Sequence, residues 1–358
     1  DAAGPPIPGP FGGDTPERRL CLASKPMFDA NWPGSATPLL RPRGALHLTG
    51  PCGEGFEEVG DLTGDHLPIH IDRSELDLLI PGMREQWTGA WYEASCADIE
   101  VAAFHNACLA ATRRQGGEIR TDATFLSARK DGPQWIVESS AGVVASNMIV
   151  NAAGAWGDQV AERVGVTPLG LRPMRRTVVQ LRVGRSGLRD LPFVTDSHES
   201  FYFKGEGDNS VWVCPLDETT VDPCDAAPEE IDVATAIDRF EKAVDWPVEA
   251  VERKWAGLRT FAPDRRMKYG FDPLAEGFFW CVGQGGMGIQ TFAPERGMKL
   301  GFDPEAEGFF WCVGQGGMGI QTAPAASLLC AALIRREEMP AELKGIDPAA
   351  FEPRTVRS

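Results

Sequence analysis

Three polar residues in apolar segments could bind an anionic ligand. Arg259, in WAGLRTF, could hold a carboxylate through paired hydrogen bonds, although an arginine more often forms a structural ion pair. Arg176 follows Arg175 just before the apolar segment TVVQLRV, where the same alternatives apply and a surface location is favoured. Tyr202, in SFYFK, is one of three tyrosines beside 18 phenylalanines, so its hydroxyl is either a candidate binding group or that of a half-buried strand residue.

Two glycine-rich or small-residue turns could approach a flat ligand closely. Residues 314–319 (GQGGMG) match GxGxxG, follow the strand-like EGFFWCV and precede a helix. A dinucleotide site also requires a second strand that ends in an acidic residue, and the sequence after this helix has no strand pattern. The turn NAAGAW at 151–156 is the second candidate. Both turns could instead serve only chain reversal or tight strand–helix packing.

Metal-binding and hydrolase motifs are absent from the sequence. His66 and His70 have i,i+4 spacing, but Pro68 lies between them, so the two imidazoles are not expected to share a helix face. The remaining histidines, His47, His105 and His198, are isolated along the chain. Neither a GxSxG elbow nor a Walker A motif occurs. The sequence therefore predicts no metal site.

The elements that position these residues are short strands and amphipathic helices. Strands are predicted at 43–49 and 86–92 and in a β-rich section between 177 and 215. Helices are predicted at 98–114, where apolar residues follow helical spacing, and at 228–244, whose acidic start suits the helix dipole. A C-terminal helix is predicted over 323–336, with Thr322 as its N-cap and Pro324 in its first turn.

A tandem repeat interrupts this pattern. Residues 260–290 and 291–321 are identical at 27 of 31 positions. A solenoid needs at least three copies and caps, so two near-identical copies indicate a local duplication or an error in how the gene was read.

Length and composition bound the class of protein. With 358 residues the chain suggests two or three domains, and residues 1–16 form a Pro/Gly-rich arm. A net charge of −16 disfavours nucleic-acid binding. No apolar run is long enough to span a bilayer, and no signal peptide pattern is present. Nine scattered cysteines without CxxC fit reduced thiols, so we predict a cytoplasmic protein.

Several segments together resemble the FAD-dependent D-amino-acid oxidase/dehydrogenase family, most closely its bacterial D-arginine dehydrogenase-type members, with glycine and sarcosine oxidases as related enzymes. They are, in order, ADIEVAAFH, MIVNAAGAWGDQVA, GVTPLGLRPMRRT, ESFYFK, WAGLRTF and EGFFWCVGQGGMGIQTAPA. The resemblance covers about residues 15 to 345, apart from one repeat copy.

The resemblance implies an α/β (α+β) fold with two domains. A doubly wound FAD-binding domain would comprise 1–37, 99–165 and 256–345, and a substrate domain with a large antiparallel sheet would comprise 38–98 and 166–255, followed by a tail at 346–358. The implied reaction passes hydride from the α-carbon of a D-amino acid to the flavin. The imino acid then hydrolyses to a 2-oxo acid and ammonia, and oxygen or a quinone-type carrier is the electron acceptor.

The resemblance also assigns residues to the site. Arg259 would bind the substrate carboxylate, Tyr202 would line the pocket, and Arg176 is a weaker pocket candidate. The residues implied to contact FAD are Phe125, Ala153, Gly154, Ala155, Trp156, Gly316, Gly317, Met318, Gly319, Ile320, Gln321 and Thr322.

Three departures from the family pattern qualify these expectations. The first strand with its GxGxxG and the second strand with its acidic end are not found, as if the chain began about 40 to 50 residues late, which should weaken FAD binding. Arg43-Gly44 stands where an acidic side-chain anchor is expected, and Met287 or Met318 where a tyrosine is usual. The alternative hypothesis is therefore a flavin-free remnant with at most weak amino-acid binding.

Only one repeat copy can occupy the family position. The second copy is continuous with the C-terminal helix and the first with Arg259. Because a helix N-terminus favours negative charge, we predict that the second copy's glycine loop lies at the flavin and that the first copy is displaced.

Overall fold

The structure is a computed structural model that describes residues 16–30, 32, 35, 37–50, 68–196, 200–265, 267–285, 291–292 and 319–353. Its helices within these residues are α1 (Pro16–Asp29), α2 (Arg73–Leu79), α3 (Val101–Arg114), α4 (Gly157–Arg163), α5 (Glu230–Ala243) and α6 (Gly319–Arg335). Short 3₁₀ turns occur at Gly154–Trp156, Ala341–Leu343 and Pro348–Phe351.

The strands, in chain order, are β1 (Leu40–Pro42), β2 (Ala45–Thr49), β3 (Ile69–Asp72), β4 (Gly89–Glu93), β5 (Ala97–Ile99), β6 (Phe125–Asp131), β7 (Gln134–Ser139), β8 (Gly142–Ser146), β9 (Ile149–Asn151), β10 (Arg172–Val183), β11 (Phe193–Asp196), β12 (Tyr202–Gly205), β13 (Ser210–Cys214), β14 (Thr219–Thr220), β15 (Val248–Phe261), β16 (Lys268–Phe271), β17 (Phe278–Val282) and β18 (Thr291–Phe292). The predicted mixed α/β fold is confirmed.

The largest sheet has nine strands, in the order β14-β10-β13-β12-β11-β2-β4-β3, with β15 also paired to β10. All of its pairs are antiparallel except β11 with β2. One face packs on α2 and α5 through apolar side chains that alternate along the strands, as in a half-buried sheet. This core includes Leu46, Val179, Leu181, Phe203, Val213, Leu76, Val233 and Phe240.

The opposite face of this sheet carries polar and aromatic side chains. Tyr202 and Cys214 are paired residues of β12 and β13 and join a small apolar cluster with Ala45, Val178 and Phe193. Because side chains alternate between faces, Arg176 lies on the same face as Val178. Arg259 lies there too, since it pairs with Met174. The sheet thus gathers the three candidate binding residues on the face that α2 and α5 leave open.

A second core surrounds a three-stranded sheet in the order β16-β17-β9, in which β9 runs parallel to β17. Helices α1 and α6 pack against each other and contribute to this core. A separate meander, β6-β7-β8, contacts α4. The two cores are compatible with two domains, and the boundaries proposed from the sequence stay a prediction.

The first repeat copy supplies the strands β16 and β17 to the second core, whereas the described strand of the second copy, β18, pairs with β5. β16 and β17 lie within residues 260–290, and Phe278, Phe279 and Trp280 pair with β9. The predicted displacement of this copy was therefore wrong for its strands. The physical reason is continuity, because β15 leads directly into β16 while five apolar residues of β17 become buried. Residues 286–290 and 293–318, which include the second glycine loop, lie outside the described residues.

Several predicted elements are confirmed with shifted ends. The strands at 43–49 and 86–92 correspond to β2 and β4, and the helices at 98–114 and 228–244 correspond to α3 and α5. The prediction of Thr322 as an N-cap was wrong, because α6 begins at Gly319 and places Thr322 and Pro324 inside the helix. In the described part of the chain, no helix is long and apolar enough to cross a membrane.

Candidate active site

Arg259 lies on the face of the large sheet opposite α2 and α5. It has no counter-ion among the described residues. Its side chain is half-buried, and its Nε is buried without a hydrogen-bond partner among the described residues. Burial lowers the pKa of Arg259, and the neighbouring Arg176 adds to that effect. A guanidinium stays protonated under these conditions, so the site holds a positive charge that a carboxylate could balance.

Arg176, in contrast, is already held by the protein. Its Nε donates to the Asp217 carbonyl oxygen at 2.9 Å, and its second terminal nitrogen contacts Glu218 Oε1 at 3.1 Å. Glu218 also pairs with Arg265. Arg176 is buried, so the surface location favoured from the sequence was wrong. The pairing of β10 with β15 places Arg176 on the same sheet face as Arg259.

Tyr202 is fully buried between Phe193 and Cys214. The rings of Phe193 and Tyr202 lie 5.2 Å apart, and Cys214 is the residue paired with Tyr202 across β12 and β13. Burial raises the pKa of Tyr202 well above its usual value, and Cys214 adds to the rise. The phenol therefore stays neutral and offers a hydroxyl next to Arg259 and Arg176, which both act on its charge.

The turn after β9 is held by one asparagine. Asn151 Nδ2 donates to the Gly157 carbonyl oxygen at 3.0 Å, and Asn151 Oδ1 accepts from the Ala153 amide at 3.3 Å. Gly154 has φ +53°, a conformation that glycine adopts readily. The following 3₁₀ turn, Gly154–Trp156, contacts β15, the strand of Arg259. This brings the small-residue turn close to the polar face.

Two further buried polar atoms lack partners in the described chain beside this turn. They are Thr260 Oγ1 and Gln284 Oε1. The two residues are neighbours, because Phe261 and Gln284 form a β-bridge and the Gly285 amide donates to the Thr260 carbonyl oxygen at 2.8 Å. Buried polar atoms are normally hydrogen-bonded, so such a pair indicates a place for a polar ligand.

Both features lie at the same end of the parallel pair β9 and β17. Asn151 ends β9, and Gln284 follows the last residue of β17, Val282. In open α/β sheets, ligands bind beyond the carboxyl ends of parallel strands. The arrangement can therefore place a flat ligand against the turn and an anionic group at Arg259.

The remaining residues assigned from the resemblance are spread more widely. Ala153, Gly154, Ala155 and Trp156 lie in the turn, and Trp156 is 44% exposed. Phe125 begins β6, and its carbonyl oxygen accepts from Arg163 of α4 at 2.8 Å. Gly319, Ile320, Gln321 and Thr322 form the first turn of α6. Gly316, Gly317 and Met318 lie outside the described residues, as do Met287, His66 and His198.

Sequence reasoning missed several residues that shape the site. Cys214 carried no spacing signal among nine scattered cysteines, and Glu218 lies in a segment without a motif. In the sequence, Asn151 stands out only as part of the small-residue turn NAAGAW. Its position between a buried strand and a glycine could have identified it as an Asx-type turn residue. No group of His, Cys, Asp and Glu suited to a metal ion occurs among the described side chains.

Curated relatives match parts of the chain. Human mitochondrial dimethylglycine dehydrogenase is 31% identical over 121 residues, which cover 33% of this chain and 14% of that protein. The bifunctional protein ThiO/ThiG of Trichormus variabilis is 23% identical over 228 residues, covering 60% of this chain and 33% of that protein. The chain thus spans at most about a third of the length of these relatives.

Solved structures share the fold over nearly the whole chain. Glycine oxidase from Geobacillus kaustophilus has a TM-score of 0.69 at 18% identity and covers 97% of this chain and 87% of that chain. Iminodiacetate oxidase from Chelativorans sp. BNC1 has a TM-score of 0.67 at 18% identity, with 99% and 90% covered. L-proline dehydrogenase from P. horikoshii has a TM-score of 0.67 at 13% identity, with 97% and 86% covered.

A family model agrees with the sequence resemblance and with this fold. The model described as "FAD dependent oxidoreductase" (DAO) matches residues 7–333. That range is most of the chain and includes the polar face of the large sheet and both parallel strands. The chain belongs to the DAO family of FAD-dependent oxidoreductases.

Proposed function

We propose that the chain oxidises the α-carbon of D-amino acids, or of a related primary or secondary amine, to an imino acid that hydrolyses to a 2-oxo acid and ammonia. The observation that carries this proposal is Arg259, a guanidinium without a counter-ion in the described chain beside a neutral Tyr202 hydroxyl. An α-carboxylate would supply the missing charge through paired, charge-assisted hydrogen bonds.

The residues at the end of β9 and β17 fit FAD. Thr260 Oγ1 and Gln284 Oε1 are buried polar atoms without described partners, and Gly154 of the turn has φ +53° and no side chain. We infer that these residues, with Ala153, Ala155 and Trp156, would hold the flavin. FAD supplies a two-electron acceptor that no amino-acid side chain provides.

The protein's own groups would bind and orient the substrate. Arg259 would fix the carboxylate, and Arg176 would keep its place because Glu218 and the Asp217 carbonyl oxygen already hold it. The apolar cluster of Val178, Phe193 and Tyr202 would exclude water from the α-carbon. Electrons would leave to oxygen or to a quinone-type carrier.

The preference for D-amino acids rests on the sequence resemblance. The names of the structural neighbours include glycine oxidase, L-proline dehydrogenase and L-amino acid deaminase. These names support an amino-acid substrate. Any test of the preference must therefore compare D- and L-amino acids.

The test is reconstitution followed by anaerobic reduction. The purified chain is incubated with FAD and gel-filtered, and the visible spectrum of the protein peak is recorded before and after adding D- and L-amino acids and sarcosine without oxygen. We expect a flavin spectrum that co-elutes and bleaches with a D-amino acid. A colourless protein peak would favour the flavin-free remnant, and bleaching by L-amino acids alone would overturn the D-specificity.

A further inference from the structure

The part of the first repeat copy that lies in the second core is present twice in the chain. This core segment, residues 267–284, contains β16 and β17. The duplicate segment, residues 298–315, differs from it only at the positions of Tyr269 and Leu274, where it has Leu300 and Glu305. Every other side chain that the core segment buries is therefore also available in the duplicate segment.

Many contacts that hold the core segment together are formed within the segment itself. β16 and β17 make one antiparallel hairpin. Trp280 Nε1 donates to Asp272 Oδ2 at 2.8 Å, and the ring centroids of Phe271 and Phe279 lie 4.9 Å apart. Each of these four residues has an identical counterpart in the duplicate segment, so the same hairpin can form from either copy.

The two positions that differ are not equally important for packing. Leu274 is 78% exposed, so a glutamate in its place would have little effect on stability. Tyr269 is buried, and its hydroxyl accepts from Gln284 Nε2 at 3.3 Å, a contact that leucine cannot make. One hydrogen bond changes an equilibrium constant by about fivefold, so this contact favours the first copy without excluding the second.

The neighbouring elements can stay in place if the copies exchange. β15 would still end at Phe261, and β18 could keep its pairing with β5, because both lie outside the exchanged residues. The extra length of chain would move from the connection between β17 and α6 to the connection between β15 and β16. The entropic cost of a long connection changes only slowly with its length, so both arrangements have similar costs.

We propose that the two repeat copies are alternative occupants of one position beside β9, with the first copy preferred. After exchange, residues 314–318 alone would join the last core strand to α6, in place of the long connection that now follows β17. The tandem repeat is then a conformational switch that changes how the glycine-rich turn is linked to this helix. The proposal goes beyond the oxidation of amino acids and does not depend on it.

A double-mutant cycle on the full chain tests the exchange. Trp280→Ala removes a fully buried ring from the core segment, and Trp311→Ala makes the same change in the duplicate segment. Phe351→Ala is the matched control, because Phe351 is buried in the same core and lies outside the repeat. The readouts are the midpoint of thermal unfolding and the labelling of the buried Cys281 by iodoacetamide in the folded protein, located by mass spectrometry.

We expect Trp280→Ala and Trp311→Ala each to lower the unfolding midpoint by less than about 5 °C, because the intact copy can fill the core. The double variant should lower it by more than about 10 °C. Trp280→Ala should make Cys281 open to labelling while the chain stays folded. Phe351→Ala should lower the midpoint on its own, by the same amount with and without Trp311→Ala.

A midpoint in Trp280→Ala as low as that of the double variant would overturn the proposal, and so would loss of folding in Trp280→Ala alone. Continued protection of Cys281 in a folded Trp280→Ala chain would also contradict it, because the altered copy would then have stayed in the core.

A milder variant tests the same exchange without removing a large ring. Tyr269→Leu should raise the rate of Cys281 labelling about fivefold, the effect of one hydrogen bond, and Leu274→Glu should leave the rate unchanged. The increase should disappear when Tyr269→Leu is combined with Trp311→Ala, because the duplicate segment then no longer fits the core. An equal increase in that combination would indicate local opening of the first copy and would overturn the proposal.

Discussion

Two arginines on neighbouring strands carry the same charge but have different surroundings. Arg176 donates hydrogen bonds to the Asp217 carbonyl oxygen and to Glu218. The Nε of Arg259, in contrast, has no hydrogen-bond partner among the described residues. Leaving a buried charge unpaired is costly, so folds retain such a group where a ligand completes it. The difference between the two residues, more than the presence of arginine, is the reason for proposing Arg259 as the carboxylate receptor.

Replacing Arg259 should therefore abolish carboxylate binding. We expect Arg259→Met to weaken propionate binding by about 2–5 kcal/mol, the range for removing one partner of a buried charge pair. Arg259→Lys should recover only part of the loss, because lysine cannot form the paired contacts of a guanidinium. Calorimetry on the FAD-incubated chain measures both effects.

The control is Arg253→Met, which changes an exposed arginine of the same strand. It should leave propionate binding unaltered. If Arg253→Met and Arg259→Met weakened propionate binding equally, the Arg259 guanidinium would not be the group that binds the carboxylate.

Local sequence context was enough to single out candidate site residues that share one sheet face, but not their partners. Arg259, Tyr202 and Arg176 stand out because polar groups interrupt apolar segments, and the structure brings them to one sheet face. Cys214 and Glu218 could not be predicted, because their contacts depend on strand register. Register is set by pairing between distant segments and leaves no local pattern.

At the scale of elements, one buried carboxylate joins the small sheet β1-β5-β18 to the large sheet. Asp98 of β5 accepts from Arg43 Nε at 2.7 Å and from Lys204 Nζ of β12 at 3.2 Å. Arg41 also donates to it at 2.7 Å. Burial alone would raise the pKa of Asp98, but Lys204 and Arg43 overcome this effect and hold the pKa below its usual value of 3.8.

Asp98→Asn should lower the free energy of unfolding by about 3–5 kcal/mol at pH 7, because it removes the carboxylate that pairs with the buried Arg43. The lowered pKa means that the folded state prefers the charged form. Its contribution is therefore fully present above about pH 4 and is lost only as the pH falls through the lower folded-state value. Urea unfolding of both chains between pH 7 and pH 3 measures the difference.

The control for this series is Asp131→Asn, which removes an exposed pair with Arg129 at 3.5 Å. It should change the unfolding free energy by less than about 1 kcal/mol. A difference between Asp98→Asn and the unmodified chain that shrinks already between pH 7 and pH 5 would contradict the lowered pKa.

Close packing of α4 on β17 positions the turn after β9. A Cβ at Gly157 would lie 2.5 Å from Leu171 Cδ1 and 3.3 Å from Val282 Cγ1. We expect Gly157→Val to destabilise the fold by about 1–3 kcal/mol through overpacking and to weaken FAD binding by moving the turn. Thermal unfolding and flavin fluorescence measure the two effects.

Gly184→Val is the matched control, because its nearest neighbour would be 3.5 Å from an added Cβ at an exposed site. It should leave FAD binding unchanged.

Element ends such as the start of α6 were less predictable than the elements themselves. The sequence offers Thr322 and Pro324 as a capping signal, but the helix already begins at Gly319.

At the scale of the whole molecule, the tandem repeat lengthens one connection. β17 ends at Val282 in the first copy, and α6 begins at Gly319 in the second, so residues 283–318, which include the two-residue strand β18, join them. Strand–helix connections in α/β units usually have about 2–6 residues. Without residues 291–321, Gly288 would take the place of Gly319, and residues 283–287 would form a connection of ordinary length.

Deleting residues 291–321 should therefore preserve the fold apart from the two-residue strand β18. We expect an unchanged far-ultraviolet circular dichroism spectrum and an unfolding free energy within about 2 kcal/mol, because loop length has a weak entropic effect. FAD should bind at least as tightly. Deleting residues 172–202, a segment of equal length that contains β10, is the control that should unfold the protein. Loss of fold in the 291–321 deletion would show that the second copy has a structural role.

The central claim is that Arg259 selects substrates by their carboxylate while FAD accepts the electrons. The most direct measurement is the rate of anaerobic flavin bleaching by D-alanine and by ethylamine, which lacks the carboxylate, in the unmodified chain and in Arg259→Met. The account predicts fast bleaching by D-alanine alone in the unmodified chain and a loss of that preference in Arg259→Met. Equal rates with both amines in the unmodified chain, or an undiminished preference for D-alanine in Arg259→Met, would contradict it.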